Sequence, residues 1–174
     1  MENNDQKIRE LKERLTRKDT SVLLQTLKEV KMEGNYSLIP YLISVLKGTN
    51  NKEIQNRIID ILNNLNIQYS VPYLVESIKN TEQNDLLNIL ISSCWKNGLD
   101  FSDHLEVFVD KFIQYDFDVA LEAFTVIENA TKHTEVTECK RMIDYLNQNL
   151  EKVRNEKKVL LEELIQIFKS RTEI

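Results

Sequence analysis

The side chains able to do chemistry are few in this sequence, and their spacing decides against most reactions. Only two histidines occur, His104 and His133, and neither sits in an H-E-x-x-H run or beside paired cysteines. Those are the spacings that bring zinc ligands together, so no metal is expected. Cys94 and Cys139 stand alone in helical patterns without C-x-x-C spacing, which points to buried reduced thiols rather than a disulfide or redox pair. A Ser, Thr or Cys nucleophile would need a base, an orienting acid and a sharp glycine-shaped turn, and no such constellation is visible. Three glycines are too few for a phosphate-cradling loop. The reading is non-enzymatic, with no cofactor. His104, in Asp103-His104-Leu105-Glu106, is read as a solvent-facing first-turn residue with Ser102 or Asp103 as the N-cap.

Binding chemistry remains. Asp60, Asp85, Glu122 and Glu128 recur on the second helix of successive predicted hairpins, where they form either an acidic functional stripe or plain solvated surface. Arg57, Asn64 and Asn88 lie on the same helices and complete the polar candidate set. Tyr41 and Tyr73 each follow a proline and are expected to stack as a short ladder. Each lies two residues, about 200° on the helical wheel, from its core neighbour, which turns it away from the deepest core. They serve either as groove anchors, a common role for tyrosine, or as filling between adjacent helices. Trp95 is read as core or a semi-buried edge.

The elements that carry these residues follow from an internal repeat. Tyr36-Ser37-Leu38-Ile39-Pro40-Tyr41-Leu42-Ile43 returns as Tyr69-Ser70-Val71-Pro72-Tyr73-Leu74-Val75, with Pro-Tyr-Leu displaced by 32 residues. Ile39, Leu42, Ile43, Leu46 and Val71, Leu74, Val75, Ile78 then run at i, i+3, i+4, i+7, the spacing of one helical face. A degenerate third copy reads Leu105, Phe108, Val109, Phe112. After each first helix a polar turn leads into a second: Ile54, Ile58, Ile61, Leu62, Leu65; then Leu86, Leu87, Leu90, Ile91, Cys94; then Ala120, Ala123, Phe124, Ile127. Residues 5–33 add one more pair, with Ile8, Leu11, Leu15 and Leu23, Leu24, Leu27, Val30 as their apolar faces and Gly34 as the stop.

Leu38-Ile39-Pro40-Tyr41-Leu42-Ile43-Ser44-Val45-Leu46 resembles the A-helix of a HEAT repeat with its proline, and Asn50 to Leu65 resembles the polar turn and B-helix. The likeness covers roughly residues 20–131. It departs from the family at Gln55, where an arginine is usual, and at His104, near the missing third proline. The resemblance implies an all-α fold, an α-α superhelix or HEAT-like solenoid of antiparallel helix hairpins, over residues 1–134. It also implies that the B-helices line a concave face, where Arg57, Asp60, Asn64, Asp85, Asn88, Glu122 and Glu128 would meet a partner.

Residues 135–174 follow a different rhythm. Cys139, Ile143, Leu146, Leu150, Val153, Lys157, Leu160, Leu164 and Ile167 keep a 4-3 alternation with one charged interruption. Such a seam makes either a coiled coil that joins two chains, or a long final helix or helical hairpin that folds back and caps the last repeat.

Charge narrows the partner. The formal net charge is −5, and it concentrates in residues 35–131, where 13 acidic side chains face 6 basic ones. An acidic centre repels phosphate, so nucleic acid is disfavoured and a protein or basic peptide is the expected partner. The first residues have no apolar h-region, and the longest apolar stretch, Leu38 to Leu46, falls short of the ~20 residues of a membrane span. The expectation is a cytoplasmic scaffold that does not enter a membrane. A HEAT-like DNA glycosylase and an oligomerisation module acting through the C-terminal heptads, giving a homodimer, are the alternatives.

Overall fold

The computed structural model describes residues 2–172, and among them every regular element is helical. The chain divides into two compact units, residues 1–77 and 78–174.

In the first unit, α1 (Glu2–Leu15) packs on α2 (Thr20–Glu33) and α3 (Ile39–Gly48), and α4 (Lys52–Asn63) closes on α2 and α3. The apolar stripes meet as their spacing requires: Leu11, Leu27, Leu38, Ile39, Leu42, Ile54, Ile58 and Leu62 are almost wholly buried. The boundaries have local causes. Asp19 Oδ1 accepts the Ser21 and Val22 N–H groups at 2.8 and 3.0 Å, which satisfies donors that have no partner within α2. Gly34 ends α2 at φ 64°, a left-handed conformation that costs a residue without Cβ nothing. Asn51 Oδ1 caps α4 through the N–H groups of Glu53 and Ile54. Gln55, which stands where the resemblance has arginine, donates from Nε2 to the Thr49 carbonyl at 2.8 Å and ties the turn to the helix it precedes.

A paired guanidinium and carboxylate join α1 to α2: Arg14 Nη1 and Nη2 donate to the two oxygens of Glu29 at 2.6 and 2.9 Å. Hydrogen bonding from Arg14 holds the Glu29 carboxyl below the usual glutamate range. A carboxyl whose folded pKa is depressed adds stability above its unfolded pKa, and that stability is lost as pH falls through the folded value. Wild-type protein is therefore expected to exceed Glu29→Gln in urea midpoint above about pH 5, with the two curves converging below about pH 3. A constant gap across that window would show that the pair contributes nothing through ionisation.

The tail of this unit comprises a 3-10 turn at Gln68–Ser70 and the start of α5 (Val71–Lys79), which carries the chain into the second unit. There α8 (Phe117–Thr131) is central, touching α6 (Asn84–Asn97), α7 (Leu105–Gln114) and α10 (Lys158–Thr172). Phe101 and Phe108 meet edge to face at 5.6 Å under these helices. Asp100, rather than Ser102 or Asp103, makes the turn before α7, its Oδ1 accepting the Ser102 N–H at 2.9 Å. His104 ends that turn and is half-buried, not solvent-facing, because α7 starts one residue later at Leu105.

The heptad-patterned segment is a hairpin. The helix α9 (Val136–Gln148) stops at Asn149, two 3-10 turns follow, and α10 returns against α9 and α8. The buried row is Cys139, Met142, Leu146, Asn149, Val153, Lys157, Leu161, Leu164 and Phe168. The nine-position seam read from the sequence is thus offset, with Ile143, Leu160 and Ile167 half-buried and Leu150 43% exposed. The offset begins inside α9, before the break at 149–157: the buried side takes Met142 rather than Ile143 and then keeps three- and four-residue steps through Asn149, Val153 and Lys157 into α10.

Lys157, the charged interruption of that count, is 0% exposed. Its Nζ donates to the carbonyls of Phe112, Ile113 and Tyr115 at 2.5, 2.9 and 2.7 Å. Those oxygens belong to the end of α7, where carbonyls have no partner within the helix and the dipole favours a cation.

Candidate protein-binding surface

The exposed sides of α6 and α8 form the surface best suited to a partner. Asn84 Nδ2 donates to Asp116 Oδ2 at the N-terminal ends, and Gly98 and Ala130 line one cavity at the other end, so the helices run parallel. Helical spacing places Asp85, Asn88 and Trp95 on one stripe and Phe117, Leu121, Thr125 and Glu128 on the other. Among these polar groups stand three large apolar side chains: Trp95 at 37%, Phe117 at 39% and Leu121 at 42% exposure. The indole Nε1–H donates to Glu122 Oε2 at 2.5 Å, which fixes the ring toward α8, and Lys96 Nζ lies 5.1 Å from its centroid.

Below Trp95 a cavity of about 290 Å³ opens between the C-terminal ends of the two helices. Cys94, Phe101, Val126 and Ala130 make its apolar wall, while Asn129 and His133 reach its edge. Burial pushes the Cys94 thiol up, so it stays protonated and behaves as a small apolar group.

The candidate residues distribute over both units. Asp85, Asn88, Glu122 and Glu128 all belong to this α6/α8 surface. Arg57, Asp60 and Asn64 belong to α4 and its C-cap in the first unit, where they are already engaged. Asp60 accepts from Lys31 at 2.6 Å and from Asn64 at 3.1 Å, and Arg57 reaches Glu53 at 2.8 Å. The tyrosine ladder takes another form. Tyr73 packs on Tyr36 at 5.5 Å and Tyr36 on Tyr69 at 6.0 Å, whereas Tyr41 lies under Lys12 Nζ at 5.4 Å. The 3-10 turns at 36–38 and 68–70 bring Tyr36 to Tyr73, and a repeat register alone does not reveal this. Trp95, Phe117 and Leu121 escaped the candidate set. Their signal was present: Trp95 continues the polar spacing of Asp85 and Asn88, and Phe117 and Leu121 fall outside the core stripe Ala120, Ala123, Phe124, Ile127.

A second, polar cleft of about 510 Å³ lies along α7 and α9. Its charges compensate one another. Arg141 donates to Glu106 at 2.8 Å and to both Glu138 oxygens at 2.8 and 2.7 Å, which holds the Glu138 carboxyl below the usual range. Tyr145 donates to Asp110 at 2.5 Å, and its phenol is pushed up to about 12 because ionising it would break that bond beside a carboxylate. Burial pushes the His104 imidazole pKa down from its ordinary value. Among the described residues no group of three or more His, Cys, Asp and Glu could hold a metal, and no helix is long and apolar enough to cross a membrane.

No family model and no curated protein matches the chain. Among solved structures it is similar to a de novo designed 16-helix transmembrane nanopore at 12% identity and a TM-score of 0.21, over 99% of this chain and 56% of that one. The chain thus spans little more than half the length of that designed protein, and a TM-score of 0.21 carries no argument.

Proposed function

We propose that this chain is a non-enzymatic scaffold of the HEAT-like, α-solenoid kind that holds a protein partner on the B-helix side of α6 and α8. One observation carries the reading: Trp95, Phe117 and Leu121 stand exposed on adjacent parallel helices among Asp85, Asp118, Glu122 and Glu128. Exposed large apolar side chains among charged ones are a feature of protein interfaces, where an aromatic residue often serves as an anchor. Two further features support the HEAT-like part, namely the repeated Pro-Tyr-Leu at the starts of α3 and α5 and the succession of short helix pairs. The carboxylates around Trp95 argue against a nucleic-acid partner, because they repel phosphate before any base can stack on the indole.

Site-specific photocrosslinking tests this. A photoreactive residue at position 121 is expected to yield one discrete protein adduct in cells. The same residue at position 159, where Val159 is exposed on α10, is expected to yield none. Asp118→Lys with Glu128→Lys should abolish the adduct from 121. Equal labelling from both positions, an adduct with nucleic acid, or no adduct from 121 rejects the scaffold reading.

A further inference from the structure

We infer that the element seated on the α6/α8 face is a basic amphipathic helix, which inserts one large apolar side chain into the cavity beside Trp95; this deepens the scaffold reading and rests on it. The face itself selects a helix over an extended segment. The backbone donors and acceptors of α6 and α8 are spent inside those helices, so an extended peptide would find no ladder for its own N–H and C=O groups. A helix arrives with its backbone satisfied and needs only side-chain complementarity. Two parallel helices present a groove between their outer ridges, and a third helix packs its own ridge into it.

The anchor comes from the cavity. Its volume of about 290 Å³, its wall of Phe101, Val126 and Ala130, and the indole of Trp95 on its lip suit a Leu, Phe or Trp side chain. The bond from Trp95 Nε1 to Glu122 stiffens that lip, so little rotamer freedom is lost when the anchor enters. Phe117 and Leu121, four residues apart on α8, stand on the other exposed edge of that helix, about 100° or more from Glu122 on the helical wheel, and add apolar surface beyond the cavity.

The charge follows from the flanks. Asp85 on α6 and Asp118, Glu122 and Glu128 on α8 stand along the exposed sides of the two helices, against Lys96 and Lys132. The C-terminal ends of both helices meet at the cavity, adding the negative ends of two dipoles. Lys and Arg on the partner's two flanks complete that field and speed association.

Trp95 is the only tryptophan in the sequence, so its fluorescence reports occupation of this site and of no other. The probe is a synthetic Trp-free helix of roughly 18 residues, about five turns, with Leu and Phe on one face and Lys and Arg on its flanks. Titrated into the full chain at low salt, it is expected to shift and quench the emission saturably, and added salt should weaken it. Asp118→Lys with Glu128→Lys should lower its affinity by about tenfold or more and confer binding on the same helix carrying Glu in place of Lys and Arg. An unchanged Trp95 emission, or equal binding of the acidic helix by the wild type, overturns the basic partner. Equal binding of a proline-interrupted peptide of the same composition overturns the helix. The crosslink from position 121 uses no probe, so failure of this titration with a surviving adduct removes the helix inference alone.

Discussion

Lys157→Met is expected to cost about 2–4 kcal/mol, lowering Tm by roughly 5–15 °C in a chain of this size. Methionine keeps the length and most of the volume of lysine but carries no proton to donate. The ammonium has three N–H donors, and the three carbonyls of Phe112, Ile113 and Tyr115 take all of them. Without it, those oxygens at the end of α7 are left beneath the hairpin with no replacement donor, each at about 1–3 kcal/mol. Relief from burying a charge offsets part of that loss, because Lys157 makes no ion pair among the described residues and burial already pushes its pKa down. Urea unfolding decides which term wins. An unchanged or raised midpoint for Lys157→Met would mean that the desolvation penalty outweighs the three bonds. If the capping bonds dominate, amide exchange in α10 should also quicken before exchange in α8, since Lys157 sits immediately before α10 and ties it to α7.

Phe168→Ala should cost about 3–5 kcal/mol, the range for emptying a fully enclosed aromatic site. Phe168 is 0% exposed on α10, whereas Leu150, which the 4-3 count places in the seam, is 43% exposed. Leu150→Ala is therefore expected to change stability by no more than about 0.5 kcal/mol. The pair of measurements distinguishes two uses of the same segment. A hairpin packed within its own unit needs Phe168 and tolerates loss of Leu150. A coiled coil between two chains along the original seam would reverse the order, and such a reversal would revive the homodimer alternative.

Much of the helical architecture was legible because its cause is local. Ile39, Leu42, Ile43 and Leu46, like Val71, Leu74, Val75 and Ile78, are all buried as their spacing demanded. A helix with one apolar face has a single way to remove it from water. The stop at Gly34 was legible too, since the left-handed conformation that ends a helix suits a residue without Cβ. The candidate surface was legible only in part. Asp85, Asn88, Glu122 and Glu128 were named from their place on the second helices of the hairpins, but Trp95 was read as core or a semi-buried edge and left out of the binding set, although it continues the spacing of Asp85 and Asn88.

The sequence by itself determined which segments before residue 135 are helical, which apolar stripe of those helices turns inward, and that the middle of the chain carries the negative charge. Each of these depends on residues within a turn or two of one another. Only the tertiary structure decided that Lys157 caps α7 from 42 to 45 residues away, that the tail breaks and repacks through Met142, Leu161 and Phe168, that Tyr73 meets Tyr36, and that Trp95 leans on Glu122 over a cavity. In each case the partner is distant in the chain, and the energy lies in filling a space or satisfying a polar group that comes into existence only when the helices have packed.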